Sequence, residues 1–334
     1  MTSAAGSVTA TQRTELRAPA KINLGLRLVG RRADGYHLLE SLFAPIAIYD
    51  SISLELEPGP ANVELTVEIP KEAELPAQLS DVAAGPDNLV SRAAKAFSEA
   101  TGLTAGIRIH LTKRIPAGAG LGGGSSDAAA ILRGLQALAP APLGSEALHR
   151  VALELGADVP FFLSPRPALV TGIGERIEPV EGLPPLSLVV ANSGNSLATA
   201  EVYRATDALP SALTEPSNGS TMRAISRLAG DRADLAPALG ELLINDLEPA
   251  ARRLCPPVAR LSNQLRSAGA VAVSMSGSGA TVFGVFDSQS KAEEGAKRLA
   301  ARVREDQGTN ARASRNECWI RVTEVLTTVM TNSD

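Results

Sequence analysis

The sequence predicts an α+β fold of two packed units, and three observations carry that prediction. Period-two alternation recurs in short stretches, as at Ile22, Leu24, Leu26 and Leu28, where one strand face is buried and the other is not. Amphipathic helical stretches stand among these strands, but not in strict strand–helix–strand order, which argues against a doubly wound parallel sheet. The chain has 334 residues, 44% of them hydrophobic, which suits two cores better than one small one.

The elements follow in order. Residues 1–12 are small and polar and predict a disordered tail; they lack the apolar stretch of a secretory leader. Strands are expected at 21–29, 38–48, 52–56 and 63–69, with Asp34-Gly35 as a turn between the first two. A helix over 89–100 precedes a strand through Ile107, Ile109 and Leu111. Helices follow at 125–138 and from Ser145, a plausible N-cap, to a stop at Gly156. Prolines 165 and 167 suggest a boundary, so the expected domains are 13–165 and 166–330. Beyond it the pattern predicts a buried strand at 186–191 and helices at 199–208 and through much of 221–269. Two strands at 271–274 and 281–286 flank a second glycine turn. A charged helix over 288–305 and a last strand at 319–326 complete the order.

Composition narrows the function. A net charge of −4, 3% aromatics and no Lys/Arg tract argue against nucleic acid as a partner. No window has the apolar length of a membrane span. Cys255 and Cys318 form neither a disulfide framework nor a metal motif. The three histidines, His37, His110 and His149, include no i,i+4 pair for zinc. The expectation is a cytoplasmic protein, monomeric or weakly dimeric, with a small polar ligand.

One stretch points to that ligand. IPAGAGLGGGSSDAAAIL, residues 115–132, holds five glycines at 118, 120, 122, 123 and 124, then Ser125 and Ser126. It lies between an expected strand and an expected helix. A helix start carries unpaired N–H groups and partial positive charge, and glycines let a phosphate come close to them. A mere capped loop does not need five glycines. No lysine follows as a Walker A loop requires. Gly118, Gly120 and Gly123 match G-x-G-x-x-G, but PAPLG and another helix follow where a dinucleotide unit needs a strand ending in an acid.

The pattern P-x-G-x-G-L-G-x-G-S-S-x-A-A, from Pro116 through Leu121 to Ser126 and beyond, resembles the phosphate loop of the GHMP kinases. Further stretches are similar to the family within it that phosphorylates 4-diphosphocytidyl-2-C-methyl-D-erythritol. They are APAKINLGLRLVGRRADGYHLLESLF, LGADVPFFL and SGSGATVFGVF, with PDNLV and NDLEPAA agreeing in order. The resemblance implies a two-domain α+β fold with its active site in the cleft between domains. It also implies ATP and Mg²⁺ as cofactors and a cytidine diphosphate alcohol as substrate.

Residue roles follow from the same resemblance. Asp158 would be the base and Lys21 its cationic partner. By spacing alone Asp158 reads instead as a turn residue before Pro160, and Lys21 as a solvated strand lysine. Burial would raise the Asp158 pKa, and an adjacent cation would keep it ionised. Asn23, Tyr36 and His37 would meet the substrate, Tyr36 by stacking and His37 by hydrogen bonding. Thr199 and Tyr203 match substrate positions too, although ANSGNSL replaces a more usual proline-containing start. Asn88 and Lys113 match positions near the adenine. Ser125 or Ser126 could reach the metal ion, and Gly277-Ser278-Gly279 would pack against the phosphate loop, or else be an ordinary hairpin turn. A different small-molecule kinase of the superfamily and a silent nucleotide sensor are the rival readings.

Overall fold

The computed structural model describes residues 8–209, 220–228, 235–308 and 318–328. Ten strands and ten α-helices lie among them. The strands are β1 (Gln12–Arg31), β2 (His37–Glu57), β3 (Asn62–Glu68), β4 (Gly106–Thr112), β5 (Ala168–Gly172), β6 (Arg176–Pro179), β7 (Ser187–Asn192), β8 (Ala272–Met275), β9 (Val282–Phe286) and β10 (Trp319–Glu324). The helices are α1 (Leu89–Thr101), α2 (Gly123–Leu138), α3 (Ser145–Leu155), α4 (Val159–Phe162), α5 (Thr199–Asp207), α6 (Ser220–Leu228), α7 (Leu235–Leu242), α8 (Glu248–Leu254), α9 (Pro256–Ser267) and α10 (Gln289–Gly308).

The backbone of the molecule is the antiparallel ribbon of β1 and β2, paired from Gln12↔Leu56 to Arg31↔His37. On its other edge β2 carries β4 beside Ser51–Glu57 and β5 beside Leu39–Phe43. β3 joins β4 in parallel and β6 joins β5, giving a six-stranded sheet. A second, antiparallel sheet runs β10-β7-β9-β8. Apolar alternation along β1 feeds three clusters in turn. Leu16 and Ala18 join the core under α1 and α2. Ala20, Ile22 and Leu24 join one shared with β7, β9 and β10. Leu26 and Leu28 join a third with α8, α9 and α10.

Three departures from the sequence reading have local causes. The tail is shorter than residues 1–12: the apolar Val8 is buried against the first core and β1 begins at Gln12. Residues 1–7 lie outside the described residues. The expected boundary at Pro165 is not an edge of the sheet: β5 pairs with β2 and β6 with β5, so the change of sheet falls after Pro179. Two separate strands expected at 38–48 and 52–56 form one, since Asp50 is accommodated by buried partners rather than ending the strand. Part of the helical stretch expected at 221–269 lies outside the described residues; the rest forms α6 to α9.

Candidate active site

The glycine stretch sits where β1, α2 and the β8–β9 turn meet. Gly118, Gly120 and Gly122 take positive φ of 62°, 80° and 71°, a region that favours glycine. α2 starts within the glycines, two residues earlier than expected, and Gly122 caps it without a side-chain bond. Its first N–H groups therefore have no capping side chain, the condition for binding an anion there. Pro116, Leu121, Gly123 and Ser126 are buried; Gly124 and Gly118 are exposed and Ser125 is half-buried. The loop is held from two sides. Lys21 N–H donates to the Leu121 carbonyl at 2.9 Å, and Ser276 Oγ donates to the Gly120 carbonyl at 2.9 Å. The turn at Gly277-Ser278-Gly279 thus packs on the loop. Asn245 holds that turn in place, its amide donating to the Met275 and Gly277 carbonyls at 2.8 and 2.9 Å.

Beside the loop opens a cleft lined by Lys21, Asn23, Gly120, Gly122, Asp158, Thr199, Tyr203 and Ser278. Residues from both sheets' halves of the chain contribute. Lys21 Nζ lies 3.6 Å from Asp158 Oδ2, with the lysine side chain 5% exposed and the aspartate 33%. The lysine also donates to Asn23 Oδ1 at 2.7 Å and sits 4.6 Å from the Phe43 ring centroid. Asn23 donates in turn to Ser41 Oγ at 2.8 Å. A register shift between Asn23 and Gly25 bends β1 here, as bulges near sites do. Asp158 occupies the N-cap of α4 but makes no capping bond, so its carboxylate is not consumed by the local turn. Arg133 of α2 steadies that helix from behind, donating to the Phe162 and Arg17 carbonyls at 2.5 and 3.0 Å; burial pulls its pKa down to about 10.

At the other end, Tyr203 is pushed up to about 12 by burial and by the charge of Asp158. Its ring centroid lies 5.0 Å from that of His37. Thr199 Oγ1 is 3.0 Å from Ser278 Oγ. Tyr36 stands on the β1–β2 turn, 63% exposed, available for stacking. A larger cavity of about 690 Å³ between β3 and α1 contains none of the expected site residues.

Asn88 and Lys113, expected near the adenine, have their side chains engaged within the protein. Asn88 caps α1, accepting from Val90 N–H at 2.9 Å and donating to the Ala83 carbonyl at 2.8 Å. Lys113 is a core cation, bound to Asp50 Oδ2 at 2.5 Å and Asp127 Oδ2 at 2.7 Å, all three at most 3% exposed. This cluster underlies the start of α2. Burial would lower the Lys113 pKa, but the two carboxylates outweigh it and hold it above the ordinary value. Burial pushes Asp127 up to about 8, with Lys113 opposing and Asp50 adding to the shift.

The native protein therefore holds the Asp127 proton more tightly than the unfolded chain, which releases it above its ordinary value of 3.8. The stability this contributes is complete below that value and is lost as pH rises toward 8. Asp127→Asn keeps the shape of the neutral acid and cannot ionise. Its unfolding free energy, from urea titrations, is expected to fall less than that of the wild type between about pH 5 and pH 8. A constant difference across that range would contradict the assignment.

Four participants were not anticipated: Ser41, Asp207, Arg133 and Asn245. Asp207 follows Tyr203 by one helical turn and could have been found by i,i+4 spacing. The others depend on long-range pairing.

Comparison with known proteins gives the family. Residues 88–166 match the GHMP kinases N terminal domain and 221–305 the GHMP kinases C terminal domain. The chain is 39% identical over 285 residues to the 4-diphosphocytidyl-2-C-methyl-D-erythritol kinase of Syntrophotalea carbinolica, covering 85% of this chain and 94% of that protein. The Chain belongs to the 4-diphosphocytidyl-2-C-methyl-D-erythritol kinase family of GHMP kinases. A second member, from Rhizobium johnstonii, is 41% identical over 84% of this chain and 87% of its own. The crystal structure of a 4-(cytidine 5'-diphospho)-2C-methyl-D-erythritol kinase superposes with a TM-score of 0.71 at 36% identity, covering 93% of this chain and 99% of that one. Likeness in fold alone reaches further: L. major mevalonate kinase, in complex with R-mevalonate, has a TM-score of 0.68 at 16% identity. For a family kinase, the described residues contain no helix long and apolar enough to cross a membrane.

Proposed function

We propose that this chain transfers the γ-phosphoryl group of ATP to the 2-hydroxyl of 4-diphosphocytidyl-2-C-methyl-D-erythritol, a step of non-mevalonate isoprenoid precursor synthesis. The observation that carries the reading is the Lys21–Asp158 pair in one cleft with Gly120 and Gly122. Phosphoryl transfer needs phosphates fixed by backbone donors, a neutralising cation and an oriented hydroxyl. The loop at Gly118–Ser126 and the uncapped start of α2 receive the phosphates. Asp158 orients the acceptor hydroxyl and takes its proton, while Lys21, held by Asn23, balances the charge that develops between them. Tyr36, His37 and Tyr203 hold the cytidine end, and Thr199 supports the turn beside the reacting end.

Mg²⁺ would neutralise phosphate charge when ATP is bound. No group of three or more His, Cys, Asp or Glu among the described residues forms a metal cage. The buried Ser126 hydroxyl at the start of α2 has no hydrogen-bond partner. An ion held mainly by phosphates and water, with Ser125 or Ser126 nearby, suits those residues. Two unpaired cysteines support a cytoplasmic setting.

The test is ADP release with 4-diphosphocytidyl-2-C-methyl-D-erythritol as acceptor and mevalonate as comparator. Turnover is expected with the first and not with the second. Equal turnover of mevalonate would overturn the substrate assignment.

A further inference from the structure

Asp207 closes α5, and its carboxylate holds a residue of the expected substrate site. Oδ1 lies 2.7 Å from His37 Nε2, and Oδ2 lies 3.4 Å from an Arg31 guanidinium nitrogen. The His37 side chain is 8% exposed and Asp207 30%. An ionised carboxylate only accepts hydrogen bonds. Nε2 must therefore carry a hydrogen, and of the two neutral tautomers only the one with Nδ1 as acceptor makes this bond.

The helix explains why one residue can do this. Thr199, Tyr203 and Asp207 are spaced four apart and share one face of α5. Along that face Thr199 meets Ser278 at the glycine turn, Tyr203 meets the His37 ring, and Asp207 meets Nε2 of the same histidine. Arg31 and His37 are themselves paired across the β1–β2 ribbon. Asp207 thus bonds to both ends of the turn that carries Tyr36.

We propose that Asp207 is a positioning residue for the nucleoside end of the substrate. It fixes His37 in the Nε2–H tautomer and fastens α5 to the β1–β2 turn, so that Tyr36, His37 and Tyr203 form one preset surface for a cytidine diphosphate. The proposal rests on the function proposed above.

Steady-state kinetics and ¹⁵N NMR of the histidine ring test it together. Asp207→Ala is expected to raise KM for the cytidine diphosphate substrate about tenfold, the scale of one lost charge-assisted hydrogen bond. Its kcat and its KM for ATP should stay within about twofold of wild type. Asp207→Asn keeps an acceptor, so its KM should rise less; it also serves if the alanine variant fails to fold. In the wild type the His37 signals should show the Nε2–H tautomer, and in Asp207→Ala a mixture of tautomers. An unchanged KM for the cytidine substrate, an equal rise in KM for ATP, or an unchanged His37 signal would each overturn the proposal. If the wild type does not phosphorylate the cytidine substrate, the proposed function fails, and the NMR comparison still decides whether Asp207 sets the His37 tautomer.

Discussion

Asp158→Asn is expected to lower turnover about a thousandfold, within the range general-base groups supply, while ATP binds within about twofold of wild type. The asparagine keeps the size of Asp158 and one accepting oxygen, so it can still orient a hydroxyl. It cannot take up a proton, and it removes the charge that faces Lys21 at 3.6 Å. The phosphate loop is untouched, because its bonds run to Lys21 N–H and Ser276 Oγ and not to Asp158. Single-turnover ADP release and calorimetric ATP binding separate the two effects. A loss of only about tenfold would reduce Asp158 to an orienting group. Unchanged turnover would remove it from the chemistry.

Gly120→Ala is expected to weaken ATP binding at least a hundredfold and to cost about 2–4 kcal/mol of stability, the scale of a clash added to a disfavoured backbone angle. At φ 80° an added Cβ would clash with the Ser276 carbonyl oxygen and meet that of Gly279 at 3.1 Å. Both obstacles are backbone, so the loop must leave the turn. Gly124→Ala makes the contrast. A Cβ there meets nothing within 4 Å, and alanine favours a helix over glycine. Its unfolding midpoint should be unchanged or higher. Any loss of ATP affinity in that variant then reports a requirement set by the phosphate and not by the protein. Urea unfolding with ATP titration of both variants measures this. Equal, mild behaviour of the two would mean that the packing of Gly120 on Ser276 does not shape the loop.

Much of this was legible because it is local. The glycine stretch announces a helix start open to an anion, and α1, α2, α5 and β7 fall within a residue or two of the expected spans. The resemblance brought Lys21, Asp158, Asn23, Thr199 and Tyr203 to attention, and the fold assembles them in one cleft. What was not legible is what depends on pairing. Ser41 meets Asn23 across 18 residues of sequence. Lys113 follows Ile107, Ile109 and Leu111 on the buried phase of its stretch, and only the register of β2 against β4, with α2 above, supplies its partners Asp50 and Asp127. β5 and β6 are short and interrupted by Gly172 and Gly174. β5 becomes a strand because β2 offers a free edge, and β6 because β5 then offers one, a signal no local window contains.

The β1–β2 ribbon has a consequence for how the molecule comes apart. One strand donates successive residues to all three apolar clusters, so neither family half owns a core that can persist without it. Heat or denaturant should therefore melt the chain in a single cooperative step, with fluorescence of Trp319 in the second sheet and far-ultraviolet circular dichroism giving superimposable curves.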